Sequence, residues 1–514
     1  MNSDNPLMPS FPRRRESSKK LSRAARKNLV LSAARGFFNR LDSRLRGNDG
    51  GFKVQPVLLV ALLSGCSMAP TYQRPAAPVP ATWPDSAAAK PGEVRAMPDW
   101  QVYFPDPRLQ ALIAAALENN RDLRIATARI AEARAQYGIQ QADRLPNVSL
   151  DASRNASLSP ASTSFTGRPF QAQRYDVKVS LVSFELDFWG RVSSLNAAAK
   201  ASYFSTEAAQ RSFRLSLIAD VASAYLSVLE LSERVQLASA TAQGRTEMRE
   251  LLARRRDAGI SSELDALLSE GEYQAALADK ANLQRQQAAA ENLLTLLVGK
   301  MPDKLPEGRS LDRQDITPDL IAGLPGEVLL QRPDVLAAEQ RLIAANANIG
   351  AARAAFLPRI SLTGSMGTAS RQLSGLFGAG SDAWSFQPAL TLPLFDAGRN
   401  AANLDVAEAR KVVAVAEYEK TLQQAFREVA DLLSARDSLA SQLAAGQAHA
   451  HVQRQRQALV DARYQSGIAN HLDLLDAQRD AYNAGQGELQ IRRAQLVAAT
   501  QLYKALAGEV AENK

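Results

Sequence analysis

The chain is poor in the residues that carry most enzyme chemistry. It has one cysteine, Cys66, in 514 residues, so no disulfide forms within the chain. It has three histidines, His449, His451 and His471. A spacing of two puts His449 and His451 on different helix faces, which argues against a shared metal, and His471 falls at a helix start where water should solvate it. There is no glycine-rich phosphate-binding loop, and the serines and carboxylates lack a paired base. A net positive charge is missing from the folded part as well. Of the formal +8, residues 1–53 carry 13 Lys and Arg against 4 acids, a balance of +9, which leaves the rest at −1. No basic cluster remains there to meet a nucleic acid. The pattern predicts a protein that is not an enzyme and needs no cofactor.

What the chain does have begins with an uncharged apolar run at residues 54–65, VQPVLLVALLSG, about half the length of a membrane-spanning helix. A basic segment, a short apolar core and small residues describe a signal peptide, so residues 1–65 read as a leader. Residues 1–50 are long for such a basic region, and the expected translation start lies close to Phe52. The run ends Leu63-Ser64-Gly65-Cys66, which resembles the lipobox of bacterial lipoproteins. That resemblance implies diacylglycerol and N-acyl lipid on Cys66, and Ser67 after it favours the outer membrane.

The mature chain repeats itself. Arg254 to Glu270 reads RRRDAGISSELDALLSE and Ala462 to Arg479 reads ARYQSGIANHLDLLDAQR. Gly259 matches Gly467, Ser262 matches Asn470 and Asp265 matches Asp473, at an offset of 208. Each stretch predicts a helix hairpin tip, with the glycine in the left-handed position and the polar residue capping the next helix. Leu145-Pro-Asn-Val-Ser-Leu matches Leu357-Pro-Arg-Ile-Ser-Leu at 212, and the smaller offset later implies a first strand loop four residues longer. A period near 210 is a duplicated domain rather than a solenoid repeat.

The expected layout is an extended arm at 66–107 anchored by Trp83 and Trp100, a half at 108–298, a Pro- and Gly-rich connection at 299–325, a half at 326–508 and a tail at 509–514. Each half should hold one helix (Arg108 to Ala142; Leu329 to Arg353), two strands (within 145–188; 357–395), a helix of about 65 residues, a tip (254–265; 462–476) and a returning helix. Ser153 to Gly167 reads as a loop. In the second strand the apolar phase switches from Tyr175, Val177, Val179 and Leu181 to Val182, Phe184, Leu186 and Phe188, which fits a bulge or a strand that changes environment along its length. Four strands are too few for a transmembrane barrel, so several chains must contribute, and the alternation fits lipid on one face and water on the other. The alanines of the second long helix, Ala401, Ala402, Ala407, Ala409, Ala414 and Ala416, suit helices packed closely on both flanks.

Tips, strands and lipobox together resemble the TolC-like outer-membrane factors of tripartite efflux systems, in their lipidated multidrug-type (OprM/NodT-like) branch. The resemblance covers about residues 60–510 and is most specific at Ala345–Leu362, Leu390–Leu404 and Arg463–Arg479. It implies an α+β membrane protein assembled as a homotrimer, with a 12-stranded β-barrel in outer-membrane lipid, a 12-helix periplasmic tunnel and an equatorial girdle that includes 299–325. It implies a passive exit duct for drugs or other small toxic compounds, working with a periplasmic adaptor and an inner-membrane transporter of the RND type. A protein-secretion duct of the same fold and a non-transporting structural lipoprotein are the alternatives. By the same resemblance Asp473 and Asp476 form acidic rings at the closed end of the tunnel and Tyr464 ties the closed coils. Ala469 stands where some members carry an arginine of that bolt, so the lock differs here. Leu268 replaces Asp476 in the first tip, which makes Asp476 the stronger pore candidate and leaves Asp473 open to the simpler role of helix-start acid. Arg254, Arg255 and Arg256 are candidate adaptor contacts.

Overall fold

Helical spacing of three and four, interrupted by short runs of spacing two, resolves into long antiparallel helices joined to one small sheet. The computed structural model describes residues 67–80, 83, 98–165, 167–316 and 326–506. The leader, Cys66, most of the predicted arm beyond residue 80, residues 317–325 of the connection and the tail lie outside the described residues.

A short helix α1 (Trp100–Tyr103) precedes α2 (Pro107–Asn119) and α3 (Arg121–Ala142). The sequence predicts one helix here. The chain instead breaks at Asn120, whose extended backbone ends α2 while its side chain accepts from Leu123 N (2.9 Å) to start α3. In the second half the same break falls at Arg332-Pro333, between a 3₁₀ turn (Gly326–Gln331) and α6 (Pro333–Ala354). Proline has no amide to donate, so the break is explicit in that copy alone.

The strands β1 (Val148–Ser159), β2 (Phe170–Leu186), β3 (Arg359–Ser370) and β4 (Asp382–Thr391) form one antiparallel sheet in the order β1-β2-β3-β4. Two expectations are corrected here. Ser153 to Ser159 is strand rather than loop, because every residue from Val148 to Ser159 pairs with β2. The first strand loop is not the longer one, since ten residues separate Ser159 from Phe170 and eleven separate Ser370 from Asp382. The extra length lies in β2 itself, 17 residues against 10 in β4.

The phase switch in β2 is a bulge. Leu181 pairs with Gly364 and Phe184 with Leu362, so Val182 and Ser183 together oppose Thr363. Ser183 takes a left-handed φ of 51° and its amide donates to Thr363 Oγ1 at 3.1 Å. The extra residue returns Phe184 and Leu186 to the face that holds Val179 and Leu181. One face of the sheet is therefore apolar, with Val148, Leu150, Val179, Leu362, Trp384, Phe386 and Leu390 in register. The opposite face carries Ser149, Asp151, Lys178, Ser180, Thr363 and Ser385. Between Val177 and Leu186 the apolar band spans about ten residues of strand. At about 3.3 Å per residue and a tilt of about 40° it is about 25 Å tall, the hydrocarbon height of an outer membrane.

From the sheet run α4 (Arg191–Asp257) and α7 (Arg399–Gln465), 67 residues each, or about 100 Å. Left-handed glycines, Gly190 (φ 70°) and Gly398 (φ 83°), turn the strands into these helices. They return as α5 (Glu263–Val298) and α8 (His471–Leu506), 36 residues each. In the upper half the neighbours run α3-α4-α6-α7, and in the lower half α5-α4-α8-α7. The duplicated helices are unequal in surroundings. α6 buries thirteen of its 22 residues between α4 and α7, whereas Leu123 is the buried residue of α3.

So long and thin a structure has little interior, and its aromatic residues gather midway along. Trp100, Tyr103, Phe104, Leu112, Leu226 and Tyr503 share one core, and Trp83, Leu342, Tyr418, Leu422 and Leu502 another. Tyr103 Oη donates to the Ala499 carbonyl at 2.8 Å, and burial raises its pKa far above the ordinary phenol value. Of the six alanines singled out in α7, Ala407 and Ala414 are buried in this chain and the others are exposed.

Candidate functional site: the hairpin tips

Both tips are built by the same hydrogen bonds. At the end of α4, Ile260 N donates to Arg255 O (2.8 Å) and Gly259 N to Arg256 O (2.8 Å), with Gly259 at φ 74°. At the end of α7, Ile468 N donates to Arg463 O (2.8 Å) and Gly467 N to Tyr464 O (3.0 Å), with Gly467 at φ 73°. This is the six-to-one, five-to-two pattern that a left-handed residue closes, and glycine holds it without a Cβ penalty. The returning helices begin alike. Asp265 N donates to Ser262 Oγ (3.1 Å) and Ser262 N to Asp265 Oδ2 (3.4 Å). Asp473 N donates to Asn470 Oδ1 (2.8 Å) and Asn470 N to Asp473 Oδ2 (3.3 Å). Each acid closes a reciprocal cap. The hydroxyl of Ser262 beside Asp265 holds its carboxyl below the usual range.

The two acids of the second tip therefore differ in setting. Asp473 is exposed and engaged in the cap. Asp476, one turn on, is half-buried and pairs with Arg479 at 3.1 Å on its own helix. Tyr464 is half-buried, accepts from Arg255 Nη1 at 3.4 Å across the seam between hairpins, and its ring lies 6.0 Å from that of His471. Arg256 is held by Asp257 (2.8 Å) and Glu263 (3.8 Å). Arg254 is exposed. Of the arginine run, then, one residue contacts the opposite hairpin and one is tied within its own.

His471 departs from expectation. It is not solvated: it is 8% exposed, and neither ring nitrogen has a partner among the described residues. The signal was present, because His471, Leu474 and Leu475 share the spacing of a buried stripe, and both leucines are buried. His449 and His451 are exposed on α7. Among the described residues no group of three or more His, Cys, Asp or Glu converges as metal ligands would.

A sheet with one apolar face, joined to paired helices of about 100 Å that end in hairpin tips capped by Asp265 and Asp473, defines a subunit of a membrane conduit. The chain belongs to the outer membrane efflux protein family, whose profile it matches over residues 112–300 and 324–508. It is similar to the outer membrane protein OprJ of Pseudomonas aeruginosa, with 44% identity over 459 residues, 89% of this chain and 96% of the relative. It is similar to the toluene efflux pump outer membrane protein TtgI of Pseudomonas putida, with 43% identity over 89% of this chain and 98% of the relative. Among solved structures it resembles the open state of the MtrE outer membrane channel of Neisseria gonorrhoeae, with a TM-score of 0.77 and 38% identity over 86% of this chain and 98% of that one. The protein is an outer-membrane component of an efflux pump.

Proposed function

We propose that three copies of this chain close into one exit duct for drugs or other small toxic compounds. The observation that carries this reading is a matched pair of open edges. The sheet ends at β1 and β4, and the helical layer ends at α3 and α5 on one side and α7 on the other. An open sheet in lipid leaves edge amides and carbonyls unsatisfied, so β1 with α3 of one copy must meet β4 with α7 of the next. Three copies of four strands give twelve, and the exposed alanines of α7 supply the close packing that the helical wall requires.

The duct is passive and performs no catalysis. A periplasmic adaptor docks at the tips, and an inner-membrane transporter of the RND type supplies cargo and energy. The toluene cargo in the name of TtgI supports small apolar compounds as substrates here. Lipid on Cys66 anchors each copy beside the barrel. Asp473 and Asp476 from three copies form the gate, where six carboxylates favour cations and resist close approach until protons or cations relieve them.

Planar-bilayer recording tests the gate. Asp473→Asn with Asp476→Asn should raise single-channel conductance and weaken cation preference. Unchanged conductance and selectivity would remove these residues from the pore.

A further inference from the structure

We propose that His471 is a pH-operated latch between the two hairpins: neutral, it packs in the seam and holds the tips together, and protonated, it leaves the seam and lets them separate. The inference rests on the tips being the gate end of a trimeric duct and adds a regulator to it.

The ring occupies the first helical position of α8, where α8 meets the α4–α5 hairpin, with Tyr464 of α7 beside it. Its surroundings are ionic yet offer it no hydrogen bond. From α4 comes Arg245, 6% exposed, paired with Glu272 of α5 at 3.5 Å and with its Nη1 unpartnered. From α5 comes also Asp265, whose carboxylate is taken by the hydroxyls of Ser261 (3.2 Å) and Ser262 (2.8 Å). Arg255 of α4 reaches Tyr464. On its own helix Asp473 closes the cap and Asp476 is paired with Arg479. The bonds to Asp265 all fall on Oδ2 and the Glu272 pair uses Oε2, and neither carboxylate bonds the ring. A proton on His471 would therefore meet a desolvated site with no hydrogen bond in place to receive it.

The position is also particular to one hairpin. Its counterpart at the same offset in the first tip is Glu263, exposed and facing Arg256. One hairpin carries an ordinary solvated start and the other a buried titratable ring.

Burial lowers the imidazole pKa below its ordinary 6.5; Asp265 and Glu272 oppose this and Arg245 adds to it. A base with a depressed pKa binds fewer protons in the closed tip than in the open one. Closure is thus fully favoured above about pH 6.5 and is lost progressively as pH falls from there towards the lower closed-state value. Each unit of depression changes the closed-to-open ratio about tenfold, and three latches in one ring about a thousandfold, so the response should be steep.

The test uses the full-length protein reconstituted in lipid, with spin labels at Ile260→Cys and Ile468→Cys, both exposed at the tips. The interhairpin distance should lengthen between about pH 8 and about pH 5. His471→Gln, or His471→Leu should the glutamine fail to fold, should abolish the response. An unchanged distance over that range, or a full response in the variant, overturns the latch. Conductance recorded in parallel reads the gate separately. Tips that separate while conductance stays constant keep the latch and sink the gate assignment.

Discussion

Single residues fasten this structure where its thin core cannot. Asp106 is fully buried, and its carboxylate accepts from the amides of Arg108 (2.8 Å) and Arg309 (3.0 Å), from Tyr225 Oη (2.9 Å) and from Gln314 Nε2 (2.8 Å). It joins α2, the long helix α4 and the connection after α5 at one point. All its neighbours are donors, so Asp106→Ala should destabilise the fold by about 3 kcal/mol, and Asp106→Asn should do no better, because its amide sets two more donors against them. Thermal unfolding midpoints decide this, and an Asn variant close to wild type would refute it. At the tips, Asp265→Ala and Asp473→Ala should each cost about 1 kcal/mol of local stability, read by amide exchange, since both close a cap. Asp473→Ala alone of the two should alter conductance. The caps could be read from Ser262 and Asn470 three residues before an acid. The burial of His471 was missed because its helix-start position was weighed over the apolar spacing that follows it.

At the scale of elements, the bulge in β2 decides which way the strand faces lipid. Deleting Ser183 should remove the bulge yet leave Phe184 and Leu186 on the apolar face, because Leu181-Val182-Phe184-Glu185-Leu186 then alternates strictly. Inserting one residue after Ser183 should instead turn both to the polar face, about 2 kcal/mol of lost burial each, and turn Glu185 to the apolar one. Glu185 would also lose its two-point pairing with Arg191 (2.7 and 2.8 Å), which fixes the strand-to-helix junction. The expected outcome is loss of heat-stable trimers from outer-membrane fractions for the insertion and their retention for the deletion, and normal amounts of trimer from the insertion would show that the phase of this strand end is dispensable. A switch of apolar phase within one run of residues marked the place, and the pairing with β3 decides for a bulge over a strand that changes environment along its length. Strand lengths were not legible in the same way. Ser153-Arg-Asn-Ala-Ser-Leu-Ser lacks the β-branched and aromatic residues that mark a strand, and β2 alone holds it extended. Long helices were the most legible elements, because a 67-residue period leaves little room for another reading.

The whole molecule adds what no single element carries, namely which faces remain open. The arm closes one of them. Arg74 grips Glu339 at 2.7 and 2.9 Å, Tyr72 donates to the same carboxylate, Asn346 donates to Pro70 O (2.7 Å), and a Cβ on Gly350 would lie 2.7 Å from Ala69. These contacts cover α6 and bring the chain within three residues of Cys66 at a point nine residues before β3, within about 11 Å of reach. Among the described residues α3, the duplicate of α6, has no such cover. Ile125 and Ile139 are exposed on it. If α7 of the next copy covers α3, Ile139→Asp should leave the single chain folded, since an exposed side chain contributes within about 0.5 kcal/mol, and yet block closure of the ring by placing a charge in the contact. Light scattering of the detergent-solubilised protein, with circular dichroism to verify helix content, should find helical monomers in place of trimers. Trimers of unaltered thermal stability would show that α3 faces solvent in the assembly and that the ring closes elsewhere.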